Sequence, residues 1–440
     1  MAVDRHRVFL FLQGPPSPFA RQLSDELDRL GQRTLRINLS AGDWLYWRKR
    51  GAYNYRGKLA DFPAYLETFC RREGVTDILY YADRLPYHRV AAAVARKLGI
   101  CETTYEFGYL RPDWLTFERS GMSAYSHFPN DPDTIRAIAE NAEDPDLTVR
   151  FPYSFNAESF NEVVYNMTTA LFPWGYWHYD ADKYYHPFID YPSYLPRLVM
   201  SRINTIRARN LIRHLKRGGQ PYYVFPMQMQ SDYQLRANSP FRHQSEAMEM
   251  TIRSFAANAS GDAWLIFKVH PLDNGLERWQ RVLTRLATQY NVLDRVHLID
   301  GGKLNLLLTH AAGTVLINST VGLHAYRVGC PVKVLGMAIF DIAGLSFQGP
   351  LDDFWTNAEK PDPELLQAFI KAIGATIQVK GNFYTAAGRA EAAKSAAKRL
   401  IEGRINEPGA FVDPPPRLEE AKRRGVPFWS DEDVLAGRIK

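Results

Sequence analysis

Residues 7–12 form a compact apolar run that ends in the turn Gln13-Gly14-Pro15-Pro16-Ser17-Pro18, after which Phe19, Leu23, Leu27 and Leu30 repeat on one helical face before Gly31. A second apolar run covers residues 34–39, so the chain opens with a βαβ unit of the doubly wound kind. Residues 77–81, a helix around Val90, Val94 and Leu98, and then Gly99 continue the alternation. A second series begins after about residue 218, with strands predicted at 222–226, 264–269, 296–299, 314–317 and 332–335. Helical patterns at 245–257, 277–290, 304–310 and 321–328 supply the crossovers, which argues for a second parallel sheet.

The expected fold class is therefore α/β and GT-B-like, two Rossmann-like domains with parallel sheets facing a central cleft. The expected domains are 1–215, including an aromatic and basic insertion at about 172–217, then 216–380, then a helix and Pro-rich tail at 381–440 packing back on the first domain. The insertion carries Trp174, Tyr176, Trp177, His178, Tyr179, Tyr184, Tyr185 and His186. Behind it Arg197, Arg202, Arg207, Arg209, Arg213, Lys216 and Arg217 alternate with Val199, Ile203, Ile206 and Ile212. Such a stretch either lies on anionic lipid head groups or forms an interdomain helix with solvated arginines.

Length agrees with two domains, because 440 residues exceed the size at which a single core stops growing. A net charge of +6 favours an anionic ligand or an anionic membrane surface. Nucleic acid is not expected: no aromatic-basic RNA motif, paired Cys/His spacing or basic tail is present. Cys70, Cys101 and Cys330 lie far apart without CxxC spacing, so no disulfide framework or zinc site is expected and a reducing cytosol fits. The first apolar stretch reads as a strand, not a signal peptide. No run approaches the roughly 18 apolar residues of a spanning helix, so any membrane work is expected from the surface.

Chemistry concentrates at strand ends. After residues 222–226 comes a polar loop presenting Asp232 among Gln228, Gln230, Ser231 and Arg236. Asp232 there serves either as a nucleophile or acid/base group, or as the cap of a turn. Phe267-Lys268-Val269-His270-Pro271 sets a lysine and a histidine two apart on one strand face, able to hold a phosphate or simply to be solvated. Asn318, Ser319 and Thr320 open a helix whose free N–H groups suit an anion. In the first domain Glu106, Gly108 and Arg111 share a segment in which Glu106 is a candidate general base, Arg111 a candidate partner for a substrate carboxylate, and a Glu106–Arg111 ion pair the alternative. Gln13, Gly14, Asn38, Gly42 and Asp43 end strands on the cleft side; the first three and Asp43, with His178, are the acceptor-site candidates.

The blocks FLQGPPSPFARQL, NLSAGDWLYW, ADRLPYHR, EFGYLRPDWLTFERSG, PMQMQSDYQLRANSPF, FKVHP, INSTVGLHAYRVGCPVKVLG and GLSFQGPLDDFW, in this order, resemble the capsule polysaccharide biosynthesis family and within it the KpsS-type β-Kdo glycosyltransferases. The resemblance implies a GT-B enzyme that takes Kdo from CMP-Kdo to a phosphatidylglycerol-type lipid, starting the oligo-Kdo linker of a capsular polysaccharide. It implies retention through a covalent intermediate on Asp232, with Glu106 as the acid of its block and Lys268 and His270 on the donor side. Gln228, Gln230, Pro271, Asn318, Ser319, Thr320 and Arg111 complete the expected donor site. Neither metal nor cofactor is expected, since a CMP donor has one phosphate and no Asp-x-Asp pair is placed to bridge an ion. The expected partners are the CMP-sugar, a glycerophospholipid acceptor, the inner face of the inner membrane and other capsule synthesis or export proteins. The alternatives are a transferase for another CMP-ulosonic acid or acceptor, or a non-catalytic assembly or export partner. The chain departs from the family pattern at Ala82, where a glycine is expected, and at Phe107, where an acid is common.

Overall fold

A computed structural model describes residues 6–438, except the side chains of Leu198 and Val199; the hydrophobic role read for Val199 thus lies outside the described residues. The first sheet is built from β1 (Val8–Phe11), β2 (Arg33–Asn38), β3 (Ala52–Asn54), β4 (Asp77–Tyr81), β5 (Cys101–Phe107) and β6 (Trp114–Arg119). The second comprises β7 (Tyr222–Pro226), β8 (Trp264–Lys268), β9 (Val296–Ile299), β10 (Gly313–Leu316) and β11 (Val332–Val334). A final strand, β12 (Gln378–Lys380), returns to the first sheet. The orders are β12-β6-β5-β4-β1-β2-β3 and β11-β10-β7-β8-β9.

Apolar alternation explains why these runs are central strands. Leu10, Ile37 and Ile78 pack on one face of the first sheet, and Phe9, Phe11 and Leu79 on the other, all fully or almost fully buried. Val224 and Ile266 against Phe225 and Phe267 repeat the arrangement in the second sheet. Each such side chain contributes about 2 kcal/mol by leaving water.

Both sheets turn back on themselves at their first strand. From β1 the chain runs outward to β2 and β3, then returns to β4 on the other side of β1; from β7 it runs to β8 and β9, then returns to β10 on the other side of β7. Ligands of open α/β sheets collect at such reversals, beyond the carboxyl ends of the strands. Gln13 and Asp83 follow the first pair of strands, and Gln228 and Asn318 the second.

The second sheet is wholly parallel, as expected, whereas the first is mixed: β6 runs antiparallel to β5, and β12 antiparallel to β6. Thus Gln378–Lys380, inside the stretch expected for the second domain, lies on the first sheet, where it covers the open edge of β6. The helix Pro363–Thr376 before it packs on Pro132–Glu140 of the first unit. Beyond β12 the helix Ala386–Ile401 lies on Phe19–Arg29, and Asp431–Leu435 on Pro86–Leu98.

Between those two helices the chain straps the units together. Arg417 is 4 % exposed; its guanidinium donates to the carbonyls of Phe128 and Pro129 in the first unit and to that of Ile339 in the second, the last at 2.8 Å. Arg424 donates to the Gly336 carbonyl at 3.0 Å. Arg417→Ala leaves three buried acceptors unpaired and is expected to lower unfolding stability by about 3 kcal/mol, read from the midpoint of urea denaturation.

Candidate functional site

Loop 227–232 is shaped from below. Gln244, fully buried, accepts from the Gln228 N–H at 2.7 Å and donates to the Gln228 carbonyl at 3.1 Å. The Gln230 side chain accepts from the Gln244 N–H at 2.8 Å and donates to the Arg242 carbonyl at 3.1 Å. Gln230, expected on the donor, is thereby engaged in holding the loop. Gln228 exchanges two bonds with Asn318, donating to its Oδ1 at 2.9 Å and accepting from its N–H at 3.3 Å. The Asn318 amide in turn donates to the carbonyls of Gln234 at 2.9 Å and Asn238 at 3.3 Å. The ends of β7 and β10 are thus locked to the short helix Tyr233–Ala237.

Asp232 caps that helix, accepting from the Gln234 N–H at 2.9 Å. The capping reading of the sequence therefore holds, and the side chain also occupies a site of opposed forces. Burial pushes its carboxyl up, against the Gln234 hydrogen bond and the charges of Arg236 and Arg111.

Glu106 arrives from the first sheet. Tyr233 donates to its Oε2 at 2.6 Å and Gln234 to the same oxygen at 2.8 Å, so the two residues following Asp232 hold the carboxylate. Burial raises the Glu106 pKa to about 7; the Tyr233 bond opposes that rise and the charge of Asp232 adds to it. No ion pair joins Glu106 to Arg111 among the described residues. Arg111 lies over the Phe107 ring, 4.6 Å from its centroid, and its charge reaches Asp232, His270 and His324. Gly108 makes the intervening turn possible: a Cβ there would stand 2.4 Å from the Trp114 carbonyl. Gln378 of β12 then accepts from the Tyr109 N–H at 2.9 Å.

On the second unit, Lys268 ends β8, 7 % exposed, with no hydrogen-bond acceptor for its ammonium among the described residues. Burial lowers its pKa, with Asp300 in opposition. His270 is held neutral, its pKa lowered to about 4 by burial and then by the charges of Lys268, Arg111 and Arg197. The Leu272 N–H reaches His270 Nδ1 at 3.1 Å, which makes Nδ1 the acceptor and leaves the proton on Nε2. The pair is thus one ammonium and one neutral donor. Pro271 is exposed at the bend. Ser319 Oγ accepts from the Val321 N–H at 3.3 Å, while Thr320, at the cap position, makes no side-chain cap bond. The helix it opens, Val321–Arg327, is only two turns long.

The acceptor candidates of the first sheet bond mostly to their own neighbours. Asp43 is 1 % exposed; it pairs with Arg36 at 2.9 Å and closes a capping box with Ser40. Asn38 accepts from Arg36 at 3.1 Å and donates to Asn54 at 3.0 Å. Gln13 donates to Tyr165 at 2.8 Å and accepts from Tyr179 at 3.1 Å. Gly14 borders a cavity of about 10 Å³ with Arg36, Asp43 and Tyr165, too small for more than a water. His178 is exposed on the insertion, where its carbonyl accepts from Tyr87 at 3.3 Å. A larger groove of about 910 Å³ lies along β9 and includes neither Glu106 nor Asp232.

Sequence reasoning missed four contributors. Tyr233 and Gln234 show their role only through the contact with Glu106. His324, on Val321–Arg327, shares the field of Arg111. Asp83 is fully buried, accepts from the Met122 N–H at 3.0 Å, and leaves Oδ1 without a partner among the described residues; its charge acts on Glu106 and Tyr233. The ADRLPYHR block pointed toward it. Ala82, departing from the expected glycine, has φ of 60°, a left-handed conformation that glycine adopts without cost. Among the described residues no group of three or more His, Cys, Asp or Glu side chains is arranged to hold a metal ion.

The model of the family "Capsule polysaccharide biosynthesis protein" matches residues 76–384. The chain is 29 % identical over 381 residues to the capsule polysaccharide export protein KpsS of Escherichia coli, covering 86 % of this chain and 96 % of KpsS. It is 28 % identical over 384 residues to the capsule polysaccharide modification protein LipB of Neisseria meningitidis serogroup B, covering 86 % of this chain and 91 % of LipB. Among solved structures, the β-Kdo 2,7 transferase KpsC of Thermosulfurimonas dismutans aligns with a TM-score of 0.40 at 14 % identity, over 89 % of this chain and 98 % of that one.

The electrostatics of Glu106 can be checked without substrate. Its carboxyl is expected to titrate near pH 7 in difference infrared spectra, identified by its loss in Glu106→Gln. Tyr233→Phe removes a donor that favours the ionised form, so the midpoint moves higher. A midpoint in the ordinary glutamate range would contradict the burial assigned to it.

Proposed function

Because the chain belongs to the capsule polysaccharide biosynthesis family, matched over residues 76–384, we propose that it is a retaining β-Kdo transferase that moves Kdo from CMP-Kdo to a phosphatidylglycerol-type acceptor at the inner face of the inner membrane. The observation that carries this reading is the bridge between sheets: the Glu106 carboxylate is held by Tyr233 and Gln234, directly after Asp232. One carboxylate is thereby available for each half of a double displacement.

In the first half an Asp232 oxygen attacks the anomeric carbon, the bond from that carbon to the phosphate oxygen breaks, and CMP departs with the electron pair. Asp232 must be ionised, which Arg111 and Arg236 favour against burial. Lys268 and the Nε2–H of His270 meet the charge that grows on the departing phosphate. Arg111, with no ion-pair partner among the described residues, is suited to the ulosonate carboxylate. In the second half the acceptor hydroxyl attacks the same carbon, the Asp232 ester bond breaks, and Glu106 takes the hydroxyl proton. Two displacements return the original configuration. A pKa near 7 suits Glu106 to that task, since it is substantially ionised at neutral pH yet basic enough to accept the proton.

Asp232→Ala is expected to lower transfer more than about a thousandfold while CMP binding by calorimetry persists. Glu106→Gln blocks the second half alone, so intact-protein mass spectrometry with CMP-Kdo should find one added Kdo on Asp232. An adduct on another residue would overturn the nucleophile assignment, and turnover of a different CMP-ulosonic acid in its place would redirect the donor. The rate in the wild-type protein should rise with pH through about 7 as Glu106 loses its proton, and that limb should vanish in Glu106→Gln.

A further inference from the structure

The two long helices between the sheets present a surface that nothing in the fold covers. On Phe155–Leu171, Tyr165 is buried and the helix packs on Ala41–Trp47. Phe160, Val163 and Leu171 recur at helical spacing and are exposed, Phe160 to 68 %. The turn that follows carries Phe172, Trp174 and Trp177, with Trp174 63 % and Trp177 70 % exposed. Phe172 and Trp174 meet edge to face, ring centroids 5.5 Å apart. The chain then enters the helix Pro187–Gly218, tied to the first by Asn166, which donates to the Tyr191 hydroxyl at 2.9 Å.

This second helix has two different sides. Ala208, Ile212 and Leu215 are buried in the core beneath the second sheet. Phe188, Leu195 and Ile206 recur on the outer side and are exposed, and Arg202, Arg209 and Arg213 share that side. No acidic residue follows Asp190 in the helix. Among the described residues Arg197 is the one basic side chain of this helix with an ion pair, to Asp273 and Asp300. An exposed aromatic turn thus leads, along the chain, into a helix whose outer side carries a row of cations with no ion-pair partner among the described residues.

Exposed aromatic and aliphatic side chains in such number mark a docking surface, and the charge selects the occupant. A second copy meeting this face about a twofold axis would bring cation row against cation row. An anionic bilayer instead offers phosphates to the arginines and an interfacial layer to the tryptophans. No described helix is long and apolar enough to cross a membrane, so the contact is made from the surface.

We propose that the turn carrying Phe172, Trp174 and Trp177 inserts into the headgroup layer of an anionic phospholipid bilayer, with Arg202, Arg209 and Arg213 lying along the lipid phosphates. This deepens the proposed function by naming the surface through which the chain reaches a lipid acceptor, and it rests on that reading only for its purpose.

The test uses the full chain with vesicles of phosphatidylcholine alone and of equimolar phosphatidylcholine and phosphatidylglycerol. Co-sedimentation with the anionic vesicles and none with the neutral ones is expected. Trp174→Ser with Trp177→Ser should lower partitioning about tenfold or more, and Arg202→Glu, Arg209→Glu and Arg213→Glu by about fivefold for each basic residue lost. Both sets should leave thermal unfolding and CMP binding unchanged. Undiminished vesicle binding in both sets overturns the proposal, as does a change in oligomeric state by ultracentrifugation without a change in vesicle binding, which would assign the face to a second copy. Transfer of Kdo to a water-soluble acceptor separates the two readings: its absence in the wild-type chain removes the proposed chemistry and leaves the vesicle result standing.

Discussion

A carboxylate withdrawn from water needs donors, and Glu106 finds its own on the opposite unit, in the Tyr233 hydroxyl and the Gln234 amide. Much of the surrounding structure follows from that requirement. Tyr233–Ala237 must stand in one place to offer those donors, so Asn318 and Gln228 bind it to the ends of β10 and β7. Gln234 must also be oriented, and its side-chain Oε1 accepts from Ser123 and Asn238, both at 2.8 Å. The turn behind Glu106 must clear Trp114, which requires Gly108. A contact between two sheets is thus supported by residues from four segments of the sequence.

Burial sets the charges of the site as a group. It raises both acids and lowers Lys268 and His270, so burial leans each group toward neutrality. The cations do not neutralise one another's field: Lys268, Arg111 and Arg197 all depress His270. An arriving anion reverses this pressure, since it favours the protonated forms of Lys268 and His270 and offsets the mutual repulsion of the cluster. Under the proposed chemistry, Lys268 and Arg111 would serve an anion because they are short of partners among the described residues, whereas Arg197 is paired with Asp273 and Asp300 and Arg36 is committed to Asp43 and Asn38.

Strands bounded by Gly and Pro were legible because both of their faces are apolar, as in β1, β4, β7 and β8. The hairpin β5–β6 was not, because Glu102, Thr104, Thr116 and Glu118 are buried polar residues inside it and break the hydrophobic pattern. β12 is too short to announce itself and exists by covering an edge. In the site, candidates at or just after their own strand ends, such as Asp232, Lys268 and Glu106, could be picked out locally. Tyr233 and Gln234 make their contacts across units, and Asp83 its contact with the Met122 N–H far along the chain, which no local pattern encodes. Asp43 is the converse case: Ser40 and Asp43 have the spacing of a capping box, so its bonding was legible locally as structure.

The Pro187–Gly218 helix connects the two proposals physically. Its outer side is apolar and basic, while its inner side carries Arg197, which pairs with Asp300 at 2.6 Å, and Asn204, which donates to the same carboxylate at 3.0 Å. Asp300 is the acid that opposes the pKa depression of Lys268. One rigid element therefore spans from the exposed arginines to the counter-ion of the buried lysine. Arg197 and Asn204 each hold one oxygen of Asp300, which fixes where that carboxylate stands. Among the described residues the lysine is attracted by Asp300 but has no hydrogen-bond acceptor, the condition under which an incoming anion would gain most from it.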